Sequence, residues 1–194
     1  MSHRIYTSTG VILRKVDVGE ADSLFSFLTK DFGRVDVKAQ GIRYLKSKLR
    51  YHLFGFAFIR ISFVATAGDY WRLVDAEEVE VLDRIRDNKD KKKCFLSMLS
   101  LCERMIHGPE SEDGLWSEFK NFVYTLEENN FSKNDLKNFE ILIASRLLSC
   151  LGYFDLNILN DCRERELGVL LNKIEEKRDV FIEAIKHSLE NSQL

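Results

Sequence analysis

The stretch Arg34-Val35-Asp36-Val37-Lys38-Ala39-Gln40-Gly41-Ile42-Arg43-Tyr44-Leu45-Lys46-Ser47-Lys48-Leu49-Arg50 changes character at its glycine. Before it, Val35, Val37 and Ala39 alternate with Arg34, Asp36 and Lys38. That period of two marks a strand with one buried and one wet face. After it the alternation stops and cations accumulate, interleaved with Tyr44 and, just beyond, Tyr51. A half-buried strand thus runs into a basic loop. Gly41, at the junction, supplies a backbone angle with positive φ, lets a phosphate approach the main chain, or simply breaks the strand.

Working outward, the same period recurs on both sides. Val11 and Leu13 alternate with Ile12 and Arg14, and Leu24 to Leu28 is a short apolar run. Phe54, Phe56 and Phe58 share one parity, whereas Ile59, Ile61 and Phe63 share the other, which predicts a β-bulge near Phe58 and Ile59. A last strand covers roughly Tyr70 to Glu77. The connections Asp17-Val18-Gly19-Glu20, Asp31-Phe32-Gly33 and Ala67-Gly68-Asp69 are short and turn-like. Five such strands predict a small barrel or sandwich, and a barrel would close its own edges.

Beyond Glu80 the period becomes helical. Asp83 to Lys93 is highly charged and reads as a linker leading into a helix. Phe95, Met98, Leu99, Cys102, Met105 and Ile106 then form one apolar stripe, and Leu115, Phe119, Phe122, Val123 and Leu126 a second. His107 to Gly114, with the chain's single proline (Pro109), reads as the loop between them. Ser132 and Asp135 form a capping box for a helix carrying Leu136, Phe139, Ile143, Leu147 and Leu151, and Gly152 stops it. Weaker helices follow over Leu167 to Ile174 and Val180 to Leu189. The expected class is therefore α+β: a five-stranded β-domain over residues 1–80, then an all-α domain over 81–194.

At 194 residues, 45% hydrophobic and 31% charged, the composition is that of an ordinary globular chain. No apolar run reaches membrane-span length, and the N-terminus lacks the apolar core of a signal peptide, so the expected location is the cytoplasm. Cys94, Cys102, Cys150 and Cys162 lack the close spacing of zinc ligands and read as reduced, buried structural thiols; neither metal nor cofactor is expected. The net charge of −2 hides an asymmetry: residues 1–60 hold 11 Lys and Arg against 5 Asp and Glu. A polyanion needs a local positive patch, not a basic whole.

That patch is Lys30, Arg34, Lys38, Arg43, Lys46, Lys48 and Arg50, among which only Asp31 and Asp36 are acidic. Cations track phosphates and aromatic faces stack on bases, so Arg34, Lys38, Arg43, Tyr44, Lys46, Lys48 and Arg50 are candidate nucleic-acid contacts; the plainer reading is a solvated basic loop. Glu20 and Asp22 lie in a turn without a His or metal pattern. The reading for Asp22 is structural, bonding backbone amides, rather than acid/base work. No phosphate-loop, nucleophile-elbow or zincin motif occurs, so nothing supports catalysis. Arg104 and Arg146 lie among apolar helical stripes, where cations at a groove edge hold acidic, apolar-ended peptides, although a surface salt bridge is the plainer role.

Several blocks resemble the bacterial RecO recombination-mediator family: Thr9-Gly10-Val11-Ile12-Leu13, Gly19-Glu20-Ala21-Asp22-Ser23-Leu24, Thr29-Lys30-Asp31-Phe32-Gly33-Arg34, Ala39-Gln40-Gly41-Ile42-Arg43 and Ser47-Lys48-Leu49. Their order and spacing match the family over about residues 5–80. Later the match is patchier, in Phe139-Glu140-Ile141-Leu142 and Leu147-Leu148-Ser149-Cys150-Leu151-Gly152-Tyr153. The resemblance implies an OB-fold followed by a helical domain, binding of single- and double-stranded DNA, and annealing of complementary strands. It also implies partnership with RecR and with the acidic tail of single-stranded-DNA-binding protein in loading recombinase, at the bacterial nucleoid and without enzymatic turnover. Carried over by motif, Arg34, Arg43, Lys46 and Lys48 would face DNA, and Arg146 would serve the tail pocket. The sequence departs from the family in having Cys162 alone where many members carry four cysteines. It is also shorter after Asn160, and Gly55 replaces a common proline.

Overall fold

The computed structural model describes residues 4–53, 55–68, 70–106, 108, 114–155 and 166–191. Expectations resting on Phe54, Asp69, Pro109 and Cys162 lie outside them. The chain divides into two compact units. The first runs to Asp83 and takes in the segment from Ile106; the second begins at Arg84.

In the first unit, β1 (Ile5–Val18), β2 (Asp22–Thr29), β3 (Gly33–Ala39), β4 (Ala57–Val64) and β5 (Trp71–Val81) close a barrel in the order β1-β2-β3-β5-β4. Neighbours pair antiparallel except β3 and β5, whose parallel pairing at Val37–Trp71 and Lys38–Arg72 completes the ring. This is the OB-fold arrangement that the family resemblance implies; of the barrel and sandwich that the strand count and turns leave open, it is the barrel.

Alternation along β3 is strict: Val35, Val37 and Ala39 are buried, with Arg34, Asp36 and Lys38 facing out. Their inward partners include Phe25, Phe27, Ile59, Ile61 and Phe63. Tyr6, Phe32, Phe63 and Trp71 meet edge to face at centroid separations of 5.2–5.8 Å, a favoured geometry for aromatic quadrupoles. Gly10 lies where β1 pairs with both β2 and β4. A Cβ there would lie 2.6 Å from the Leu28 carbonyl oxygen, so only glycine permits this approach.

The ladder slips between Phe58 and Ile59, as the sequence predicts, but for another reason. Phe58 pairs with Glu80 and Ile59 with Glu78, so the extra residue is Val79 on β5. β4 itself keeps one parity, with Ala57, Ile59, Ile61 and Phe63 in the barrel core. Phe58 belongs to the outer row yet is buried, which made its parity misleading.

The second unit contains α1 (Asp83–Asp87, which starts at the boundary), α2 (Lys89–Met105), α3 (Leu115–Glu128), α4 (Lys133–Cys150), α5 (Leu167–Glu176) and α6 (Arg178–Asn191). The charged stretch from Asp83 to Lys93, read as a linker leading into a helix, does lead into α2, but its first part is itself the short helix α1, with Asn88 between the two. Its polarity signalled exposure, and local caps decide its conformation: Glu127 accepts the N–H groups of Arg84 and Ile85, and Asn88 accepts those of Asp90 and Lys91. Lys91 is 5% exposed, and its ammonium donates to the Glu127 carbonyl at 3.0 Å. Burial lowers its pKa, with Glu127 opposing.

Ser132 caps α4 as expected, its hydroxyl oxygen accepting from the Asp135 N–H at 3.1 Å. Gly152 ends that helix with φ at 77°, and the Tyr153 N–H donates back to the Leu148 carbonyl. α4 is buried on more than one face, Asn138 and Ser145 included. Asn138 receives the Arg178 guanidinium at 2.6 Å. Cys94 and Cys102 are buried and their thiols are pushed up to about 12 by desolvation, whereas Cys150 is only half-buried. Among the described residues, no helix is long and apolar enough to cross a membrane.

Candidate nucleic-acid interface

The segment between β3 and β4 is fastened to the barrel core at Ile42 and Leu53, with Leu49 packed against the same cluster. Between these anchors its backbone forms turns: the Arg43 N–H donates to Ala21, Tyr44 to Gly41, and Ser47 to Tyr44. A short 3-10 turn, Leu49–Tyr51, follows. Apolar residues pull the loop's ends and middle inward, so Tyr44, Leu45, Lys46 and Lys48 are left in solvent.

Gly41 adopts φ 65°, the first of the roles foreseen for it. Its N–H donates to Asp22 Oδ1 at 2.8 Å, and Lys38 Nζ lies 3.0 Å from Asp22 Oδ2. The structural reading of Asp22 therefore holds, with the bond reaching across to the start of the basic loop. The Gly41 N–H first, and Lys38 second, hold the Asp22 carboxyl below its usual range. With the native value depressed, its contribution to stability is complete above about pH 4 and is lost as pH falls through the native value. Denaturant midpoints should thus fall as pH drops below about 4. Asp22→Asn should flatten part of that fall; an unchanged profile would contradict the anchor.

The seven clustered cations do not form one track. Lys30 and Arg34 sit by the β2–β3 turn, where Thr29 pairs with Gly33, and the basic loop leaves β3 at its other end, beside Ser23. At about 3.3 Å per residue the strand separates the two groups by roughly 20 Å. Arg34 is also engaged, at 3.5 Å from Asp36 and donating to the Ile106 carbonyl. Lys38 is paired with Asp22, and Arg43 lies 3.6 Å from Asp17 while donating to the Gly19 carbonyl. Neighbours in sequence are here divided by strand direction.

Lys46, Lys48 and Arg50 have no carboxylate partner among the described residues. Arg50 instead lies over the Tyr51 ring, 4.7 Å from its centroid, a cation–π contact that leaves the charge available. Arg50 and Arg43 also line a cleft of about 290 Å³ with Lys15, Asp17, Phe25, Ile42 and Leu53. Lys15 was missed from sequence because it lies on β1. The β1–β2 register places it opposite Phe25, and extending that hairpin from its predicted turn would have found it. Asp17 accepts from the Ser23 hydroxyl at 2.7 Å, which is the main reason its pKa is lowered, with Lys15 and Arg43 adding to the effect. One ionised carboxylate thus faces three cations in this cleft.

In the helical unit Arg146 lies 3.3 Å from Glu118 in a cleft that also holds Asn121 and Thr125. That is a salt-bridge geometry, and Arg146 does not line the more apolar groove of the same unit. That groove, of about 390 Å³, is lined by Leu101, Ile141, Ala144, Ile182, Ile185 and Leu189, with Arg104, Glu140 and Lys186 also on its walls. Arg104 donates to the Leu189 carbonyl at 3.1 Å.

The fold and loop define an OB-fold domain bearing an exposed, cation-rich β3–β4 loop, followed in sequence by a helical unit. Residues 1–81 match the family described as "Recombination protein O N terminal". Over those residues the chain is similar to that family, and over a longer stretch it is similar to DNA repair proteins RecO. It is 26% identical to "DNA repair protein RecO" of Thermodesulfovibrio yellowstonii over 165 residues, covering 82% of this chain and 62% of the relative. For the protein of the same description from Myxococcus xanthus the figures are 25% over 136 residues, 70% and 56%. For that of Dehalococcoides mccartyi they are 27% over 189 residues, 84% and 72%. The chain thus spans about three-fifths of the length of the first two.

Proposed function

We propose that this chain acts in DNA repair as a non-enzymatic mediator, holding nucleic-acid strands on the β3–β4 loop of its OB-fold. The observation carrying this reading is the set of Lys46, Lys48 and Arg50, displayed on a loop pinned to the core and without carboxylate partners among the described residues. Phosphates approaching such cations release condensed counterions, which drives binding on any sequence. Arg43 and Lys15 adjoin this surface but share the carboxylate of Asp17; Arg34 is secondary because it lies at the far end of β3 beside Asp36, and Lys38 because Asp22 holds it. A basic surface holding two strands screens their repulsion and raises their local concentration, and annealing needs no bond chemistry beyond that. In the cell this role fits a cytoplasmic protein at the bacterial nucleoid, working with RecR.

A second reading is favoured by the groove beside Arg104 and Lys186: an adaptor whose helical unit takes an acidic, apolar-ended peptide such as the tail of single-stranded-DNA-binding protein. Two titrations separate the readings. The mediator should bind a labelled single strand and speed annealing of complementary oligonucleotides at low salt. A pure adaptor should bind the peptide at micromolar concentration, leave the annealing rate unchanged and ignore the oligonucleotide. An unchanged annealing rate together with no strand binding would remove the first reading.

A further inference from the structure

The tip of the basic loop carries an apolar feature that phosphate binding does not use. Leu45 is 84% exposed, and its neighbour Tyr44 is 54% exposed. Large apolar side chains at loop tips are often incidental. Here the surroundings are specific. The Tyr44 ring packs beside Gly41, whose φ is 65°; a Cβ on Gly41 would come within 3.3 Å of Tyr44 Cδ2. The Tyr44 N–H donates to the Gly41 carbonyl at 3.1 Å, and the Ser47 N–H to the Tyr44 carbonyl at 3.0 Å. These two turns bracket Leu45 and hold it outward. Tyr51, 55% exposed, lies further along the same segment under the Arg50 guanidinium. Lys46 and Lys48 follow Leu45 at once and are exposed.

A projecting apolar tip beside exposed cations fits a ligand whose flat apolar face lies close to a negative charge. An unstacked nucleobase on its phosphate has that chemistry; a base inside a duplex hides its face. We infer that Leu45, supported by Tyr44, is a contact for unpaired bases that makes the loop prefer single strands over intact duplex. This inference rests on the proposed nucleic-acid role of the loop and adds the substrate class it selects. Aromatic side chains act as stacking platforms for unpaired bases, the role that Tyr44 would share with the apolar face of Leu45.

The test compares binding of the full chain to labelled oligothymidine and to a blunt duplex of equal length, at one low salt concentration. Leu45→Ala should lower single-strand affinity on the order of tenfold and duplex affinity far less, and Leu45→Phe should restore the single-strand preference. Because the side chain touches solvent, folding should be unaffected, which circular dichroism checks. An equal loss on both substrates, no loss on either, or failure of Leu45→Phe to rescue would overturn the inference while leaving the cationic loop standing. So would Leu45-dependent sedimentation with phosphatidylglycerol vesicles alongside Leu45-independent strand binding. If the unaltered chain binds neither nucleic acid, both the inference and the reading beneath it fall.

Discussion

Replacing Lys46, Lys48 and Arg50 together by glutamate should lower single-strand affinity at about 0.1 M salt by on the order of a hundredfold or more. The size follows from counterion release. Each cation that neutralises a phosphate on a single strand contributes about 0.7 to the slope of log affinity against log salt, so three contribute about 2. Reversal rather than neutralisation adds repulsion. The loss should be uniform across sequences, because phosphate contacts carry no base information. Charge reversal at Arg34 should do much less, since it lies at the far end of β3 and already faces Asp36. Equal effects of the two variants, read by fluorescence anisotropy, would mean that the interface is misplaced.

The second large effect is on the barrel that holds the loop in position. Phe27 is fully buried in the barrel core, on β2 between Ile12 of β1 and Val35 of β3 in the ladder. Phe27→Ala removes the ring and leaves a cavity that the closed strands cannot collapse around. It should cost about 3–5 kcal/mol, a large share of the about 5–15 kcal/mol available to a typical domain. Chemical denaturation should show this loss in the transition that reports the barrel, and strand binding should weaken with it. A cost under about 1 kcal/mol would mean that the barrel interior repacks and does not fix the loop.

Much of the fold was legible because its signals are local. Alternation in β3, turn residues at Gly19 and Gly33, and the Ser132 cap each act within a few residues. The bulge was placed correctly from Phe58 and Ile59 although its extra residue is Val79, because a register shift belongs to a pair of strands and one strand shows only its consequence. The helical state of Asp83 to Asp87 was hidden because its caps include Glu127, about 40 residues away. The candidate site was read in part. Lys46, Lys48 and Arg50 stand as a cluster because one short loop holds them. Lys30 and Arg34 were drawn into it by proximity in sequence alone, and Lys15 was left out because only strand pairing brings it near. Arg146 reads from sequence as a cation among apolar residues, and its contact with Glu118, on another helix, is invisible to spacing. Charge pairing across elements is what sequence spacing does not encode.

The most direct measurement is the affinity of the intact chain for a labelled single strand as salt rises from about 50 to 200 mM. If Lys46, Lys48 and Arg50 on the β3–β4 loop meet phosphates, log affinity should fall against log salt with a slope of about −2 or steeper, a loss of roughly tenfold or more across that range. Binding that stays level over the same range would contradict an electrostatic loop and require another surface.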